Sequence, residues 1–121
     1  MTEMVYKILP ASAWAEALSL GRYGGSADDL RDGYIHLSTA RQLAGTLARH
    51  FSDDAGRRPG LVVVTIDPGR LGAALKWEPA RDGSLFPHLY APLPAAAALD
   101  MAELHIGPDG RHILPERLAR C

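Results

Sequence analysis

Two histidine-bearing stretches carry most of the chemistry that this sequence offers: Asp32-Gly33-Tyr34-Ile35-His36-Leu37-Ser38-Thr39 and Phe86-Pro87-His88-Leu89-Tyr90. Along a strand, alternate side chains face opposite sides. Tyr34, His36 and Ser38 therefore share one face, while Ile35 and Leu37 turn into the core. A histidine and two hydroxyls beside a helix start suit an anionic ligand group, because backbone N–H groups and the positive end of the dipole lie there. By the same alternation Phe86, His88 and Tyr90 form an aromatic wall with a titratable group, able to stack a planar ring and donate a hydrogen bond. Trp77-Glu78 sets a carboxylate beside an indole, and on a strand only one of the two faces a cleft. His36, His88 and Glu78 are thus the candidates for proton transfer, provided the fold brings them together. Each also has a structural reading: a half-buried histidine on a carbonyl, an edge-strand residue packed on a loop, and a surface glutamate.

The elements that must position these groups follow from periodicity. Ala40, Leu43, Ala44, Leu47, Ala48 and Phe51 fall on one helical face, and Thr39 with Gln42 forms a capping-box pattern at its start. His50, near the C-terminal end of that helix, complements the dipole. Met4 to Leu9 reads as a strand, followed by a helix from Ala13 to Leu20 capped by Ser12, with Trp14, Ala17 and Leu18 as its apolar stripe and Gly21 at its end. Arg22 to Asp32, rich in Gly, Asp and Ser, reads as a loop positioned to fold over the cleft. Ser52 to Gly60 is a polar loop. Leu61-Val62-Val63-Val64-Thr65-Ile66 predicts a strand buried on both faces. Leu75 to Glu78 is strand-like, Arg81 to Ser84 a turn, and Phe86 to Tyr90 an extended segment whose prolines argue for a sheet edge. Ala97 to Ile106 reads as a last strand, although its alanine-rich start also suits a helix. Gly107-Pro108-Asp109-Gly110 turns it back, with Arg111 to Leu114, into a small hairpin bearing His105 and His112. Strands and helices in this order predict one α+β domain over residues 1–121, with two N-terminal helices on a largely antiparallel sheet.

Composition narrows the function classes. The chain has 121 residues, 47% hydrophobic and 22% charged, with net charge −1, which is ordinary for a globular domain and gives no electrostatic footprint for nucleic acid or anionic membrane. Arg41, Arg49, Arg57 and Arg58 make the middle locally basic, offset by Asp53 and Asp54. The single cysteine, Cys121, has no internal partner and no zinc-ligand neighbours, and is a poor nucleophile at a fraying terminus. Five histidines invite a metal, yet no His-x-His or His-x-x-x-His spacing falls on one element, so none is expected. Absence of a signal-like start or a membrane-length apolar run makes a reduced cytoplasmic setting the expectation. There is no Gly-x-Gly-x-x-Gly, P-loop or Gly-x-Ser-x-Gly signature.

Together with Val5-Tyr6-Lys7-Ile8-Leu9, Trp14 and Trp77-Glu78-Pro79, the two histidine motifs resemble domain-of-unknown-function family 952 (DUF952) of bacteria and plants. That resemblance implies an ADP-ribosyltransferase-like fold, a split antiparallel β structure that binds NAD in a central cleft. RNA 2′-phosphotransferases are similar in a second way: Ile35 to Thr39, Leu61 to Asp67 and Phe86 to Pro94 occur in the order of their His-Leu-Ser strand, apolar strand and proline-bearing segment. Those transferases grip NAD with a first-strand histidine, where this chain has Tyr6-Lys7-Ile8. The implied function is a nucleotide-sized cleft acting on an ADP-ribose-, NAD- or phosphate-containing substrate by transfer or hydrolysis. Its expected catalytic residues are His36, His88 and Glu78, and its ligand-binding residues Lys7, Tyr23, Ser38, Thr39, Trp77, Phe86 and Tyr90. The alternative is a non-catalytic ligand-binding or protein-interaction module that kept the fold and lost the NAD chemistry.

Overall fold

The β-branched run at the middle of the chain becomes the central strand of a sheet, with Leu61, Val62, Val63, Val64 and Ile66 all buried. The computed structural model describes residues 3–53, 56–57, 60–80 and 82–119. Cys121, Arg81 of the expected turn and parts of the Ser52–Gly60 loop lie outside the described residues.

In chain order, β1 (Val5–Pro10) leads into α1 (Ala11–Leu20), followed by β2 (Arg22–Tyr23), α2 (Ala27–Asp32) and β3 (Ile35–His36). A 3₁₀ turn (Ala40–Gln42) opens α3 (Leu43–His50), and a hairpin of β4 (Ser52–Asp53) and β5 (Gly56–Arg57) comes next. After β6 (Leu61–Ile66) come β7 (Leu75–Pro79), β8 (Leu85–Leu89), β9 (Leu93–Pro94) and β10 (Ala98–Glu103). The expected C-terminal hairpin forms from β11 (His105–Ile106) and β12 (His112–Ile113), and α4 (Glu116–Ala119) closes the described chain.

Two three-stranded antiparallel sheets organise the molecule, β1-β6-β10 and β3-β8-β7. They meet where Tyr6 and Ser38 exchange backbone hydrogen bonds of 2.8 and 2.9 Å. Strand alternation sends the apolar side chains of the first sheet into two layers. Val5, Leu9, Val62, Val64 and Ile66 pack with Trp14 and Ala17 of α1 and with Ile35, Leu37 and Leu89. On the other face Tyr6, Ile8, Leu61 and Val63 pack with Leu43 and Leu47 of α3, Leu104 and Leu118. Ile35 and Leu37 are core residues, as their alternation predicts.

Several local expectations are corrected. The segment read as a loop contains the helix α2, because Ser26 caps it: Ser26 Oγ accepts from the Asp29 amide, and the Asp29 carboxylate accepts from the Ser26 amide. Three helices therefore precede the central strand, rather than two. Helix α1 begins at Ala11 with Pro10 at the cap position in place of Ser12, and Leu18 of its expected stripe is exposed. The Thr39–Gln42 capping box forms, but the first turn is 3₁₀, and Ala44 and Ala48 of the expected apolar face are exposed.

The strand carrying His88 lies at the centre of its sheet and not at an edge, despite Pro87. Leu37 N–H donates to the Pro87 carbonyl, so the N–H that proline lacks would also have faced Leu37. That is where β3 ends, so the ring removes no bond from the ladder to β7.

Candidate functional site

Lys7 laces the gap between the two sheets. Its ammonium lies 2.9 Å from Asp29 Oδ2 and 3.0 Å from the His36 carbonyl oxygen, and the residue is 5% exposed. Beside the isolated Tyr6–Ser38 bridge, this side chain adds a second tie from β1 to the β3 backbone. Asp29, 2% exposed, is the hub. Its carboxylate also accepts from the Ser26 and His36 amides at 2.8 and 3.0 Å and meets His36 Nδ1 at 2.6 Å. Burial alone would raise its carboxyl, but the His36 ring, the Lys7 charge and the two amides outweigh that and hold it well below the usual carboxylate range. Burial pushes the Lys7 ammonium down, with Asp29 opposing. Asp29 governs the pair, because every hydrogen bond it receives favours its charged form.

His36 is held at both nitrogens, since its Nε2 lies 2.9 Å from Asp32 Oδ2. Both of its ring nitrogens therefore face carboxylate oxygens. At the nearby helix start, Thr39 N–H donates to Gln42 Oε1 at 3.0 Å and Gln42 N–H to the Thr39 carbonyl at 3.1 Å.

A second cluster spans the strands of the other sheet. His88 Nδ1 lies 2.8 Å from Glu78 Oε1, and Tyr90 OH donates to the same oxygen at 2.6 Å. The register sets this up, because Glu78 faces Phe86 on β8, one step along the same face from His88. Hydrogen bonds from Tyr90 and His88 lower the Glu78 carboxyl, and the bond that Tyr90 donates to Glu78 pushes its own phenol up to about 12. Tyr34 stacks on the His88 ring with centroids 4.0 Å apart and planes at 26°. It also touches His36, at 4.6 Å, and the two histidines meet each other edge to face at 5.8 Å, so the three rings form one cluster.

A cavity of about 420 Å³ opens beside both clusters, a volume typical of small-molecule sites. Of the residues singled out in the sequence, Lys7, His36, Ser38, Phe86 and His88 line it. Ser38 is buried, its hydroxyl 2.8 Å from Thr46 Oγ1. Glu78 and Tyr90 reach the wall through His88. Tyr23 is buried behind Lys7, its ring centroid 5.8 Å from the ammonium, and burial with Asp29 nearby pushes its phenol up to about 12. Thr39 is buried as the cap, and Trp77, 42% exposed, faces away from Glu78 on the outer strand. Neither of these two is among the lining residues.

Asp29 and Tyr34, together with Arg31 and Asp32 on or near α2 and Arg49 and His50 on α3, belong to the site without having been singled out as ligand or catalytic residues. The signal for Asp29 was available: a serine followed three residues later by an acid marks a helix start. Arg31 pairs with Asp28 and Asp32 at the surface. Among the described residues no group of three or more His, Cys, Asp or Glu could hold a metal ion, and no helix is long and apolar enough to cross a membrane.

Residues 8–101 match the family described as protein of unknown function, DUF952. The crystal structure of protein CC0527 from Caulobacter crescentus is similar over 96% of this chain and 98% of that one, at 40% identity and a TM-score of 0.87. The solution NMR structure of CC0527 is similar over 89% and 90%, at 41% identity and a TM-score of 0.75. No curated protein matches. On a family match that spans most of its length, the chain belongs to the DUF952 family.

Proposed function

We propose that this protein is a small transferase or hydrolase acting on a phosphate- or ADP-ribose-containing substrate, with His88 as the proton-transfer group. One observation carries the reading: a carboxylate, Glu78, fixes Nδ1 of a histidine that lines a ligand-sized cavity. With Nδ1–H donated to Glu78, the remaining nitrogen Nε2 carries the lone pair. It takes the proton from an attacking water or hydroxyl as the new bond forms at phosphorus or at the sugar carbon. The same proton then returns to the departing oxygen, so His88 ends as it began. Glu78 and Tyr34 hold the ring in place. Arg49 on the wall suits an anionic group, while Arg31 is already held by Asp28 and Asp32, and Phe86 supplies an apolar surface for a ring. The anion-holding role expected of His36 passes to Arg49, because both His36 nitrogens already face carboxylates.

The two antiparallel sheets joined at Tyr6–Ser38 support the split architecture of the ADP-ribosyltransferase-like fold. The NAD grip of that fold finds no support: the first-strand position where the transferases place a histidine is Lys7, which Asp29 and a backbone carbonyl engage. NAD therefore has no assigned step here and enters as one ligand of the binding series. The Lys7–Asp29–His36–Asp32 network, whose polar groups engage one another, favours a second reading, a non-catalytic ligand-binding or protein-interaction module.

A thermal-shift series with ADP-ribose, nucleoside phosphates, NAD and inorganic phosphate tests ligand binding. A ligand at about 100 times its Kd adds about 2.7 kcal/mol, which raises the Tm of a domain this size by several degrees. A shift with a phosphate or ADP-ribose compound, abolished in Arg49→Glu, supports the reading. A shift without any turnover would favour the module, and no shift with any of them would overturn both ligand readings.

A further inference from the structure

We infer that two copies of this chain associate through their β7 strands, forming one continuous antiparallel sheet about a two-fold axis at Trp77. Among the described residues β7 pairs with β8 alone, so its outer edge is open. Tyr90 N–H donates to the Ala74 carbonyl and Ala80 N–H to the Ser84 carbonyl. Backbone groups alternate sides along a strand, so those of Ala74, Lys76, Glu78 and Ala80 face β8. The N–H and C=O of Leu75 and Trp77, and the carbonyl of Pro79, therefore face outward. An open edge of this kind is a template for another strand.

The charge pattern selects both the occupant and the register. A second β7 strand must meet the first with outward-facing residues opposite one another. Centring the pair on Lys76 would set Lys76 against Lys76, and centring it on Glu78 would set Glu78 against Glu78. Centred on Trp77, each Lys76 lies opposite the partner's Glu78, giving two opposite-charge pairs, and each Trp77 meets its counterpart. The Trp77 pair exchanges two backbone bonds, and each Leu75 N–H reaches the partner's Pro79 carbonyl. Lysine and proline on an edge commonly discourage pairing. Here the lysine has a complementary partner in this register, and Pro79 sits where only its carbonyl is required. The indole is 42% exposed, and Leu85 on β8, 53% exposed, extends the same face. This is a self-complementary two-fold interface.

One functional consequence rests on the proposed role of His88: the partner's Lys76 comes against Glu78, the residue that fixes His88, so each copy contributes a cation beside the other's site.

Sedimentation equilibrium of the full chain over a range of concentrations tests the association without reference to any activity. The wild type is expected at twice the chain mass, with Lys76→Glu and Trp77→Arg at the monomer mass and unchanged circular dichroism. The exchange double variant Lys76→Glu/Glu78→Lys restores the opposite pairs and is expected to restore the dimer. A monomeric wild type, or a dimer that survives Trp77→Arg, or an exchange variant that stays monomeric while folded, would overturn the interface.

Discussion

The Nδ1 of His88 lies 2.8 Å from Oε1 of Glu78 on the neighbouring strand, and Tyr90 OH donates to that same oxygen. One carboxylate oxygen thus meets a ring at the cavity wall and also receives the Tyr90 phenol. This arrangement leads to the first expectation. Replacing His88 by Ala removes the proton-transfer group and should lower turnover by about 10²- to 10⁴-fold, with the fold intact by circular dichroism. Glu78→Gln should lower it less, because the ring remains but loses its orienting charge. Equal turnover in wild type and His88→Ala would remove the role.

The tyrosine titration gives a readout that needs no substrate. Tyr90 ionises at about 12 because its neutral form donates to Glu78, against an ordinary phenol near 10. In Glu78→Gln the Tyr90 phenol should return toward the ordinary range in an ultraviolet alkaline titration, with a smaller fall for Tyr34, while Tyr23, raised mainly by burial, stays high.

Asp29 should dominate stability in acid. Its folded carboxyl is held well below the ordinary value of about 3.9, so in the window below pH 4 the unfolded chain binds the proton first. Stability therefore rises with pH through that window and is lost as pH falls toward the folded value. Urea melts between pH 2 and pH 7 should show this loss in the wild type and a flatter profile in Asp29→Asn.

Breaking the buried pair has its own cost. Asp29→Ala leaves the Lys7 ammonium buried with one carbonyl for company, and removing one partner of a buried ion pair costs about 3–5 kcal/mol. Lys7→Met combined with Asp29→Leu should recover part of that loss in urea melts, since no charge is then stranded. A double variant as unstable as Asp29→Ala would mean that the amide contacts of Asp29, not its charge, hold the segment.

Much of this was legible in the sequence, for identifiable reasons. The run Leu61–Ile66 could only be a doubly buried strand, and the alternation around His36 and His88 placed their faces correctly. Convergence of Glu78 on His88 was not legible, because it depends on a register between strands separated by a turn. Asp29 was missed for a different reason: Ala27–Asp32 is too short and polar to show a helical stripe, and its Ser26–Asp29 cap was the one available sign. Pro87 misled because proline was weighed by residue type alone. What decides its cost is which neighbour its missing N–H would face, and here that neighbour strand has already ended. The double engagement of His36 follows from the helix that the sequence did not announce.

The most direct test of the central claim is chromatographic product analysis after incubating ADP-ribose, NAD and nucleoside phosphate esters with the wild type and with His88→Ala. The account predicts that a phosphate- or ADP-ribose-containing compound is consumed by the wild type and left intact by the folded variant. Consumption by both proteins alike, or by neither, would contradict the assignment of His88 as the proton-transfer group of this cleft.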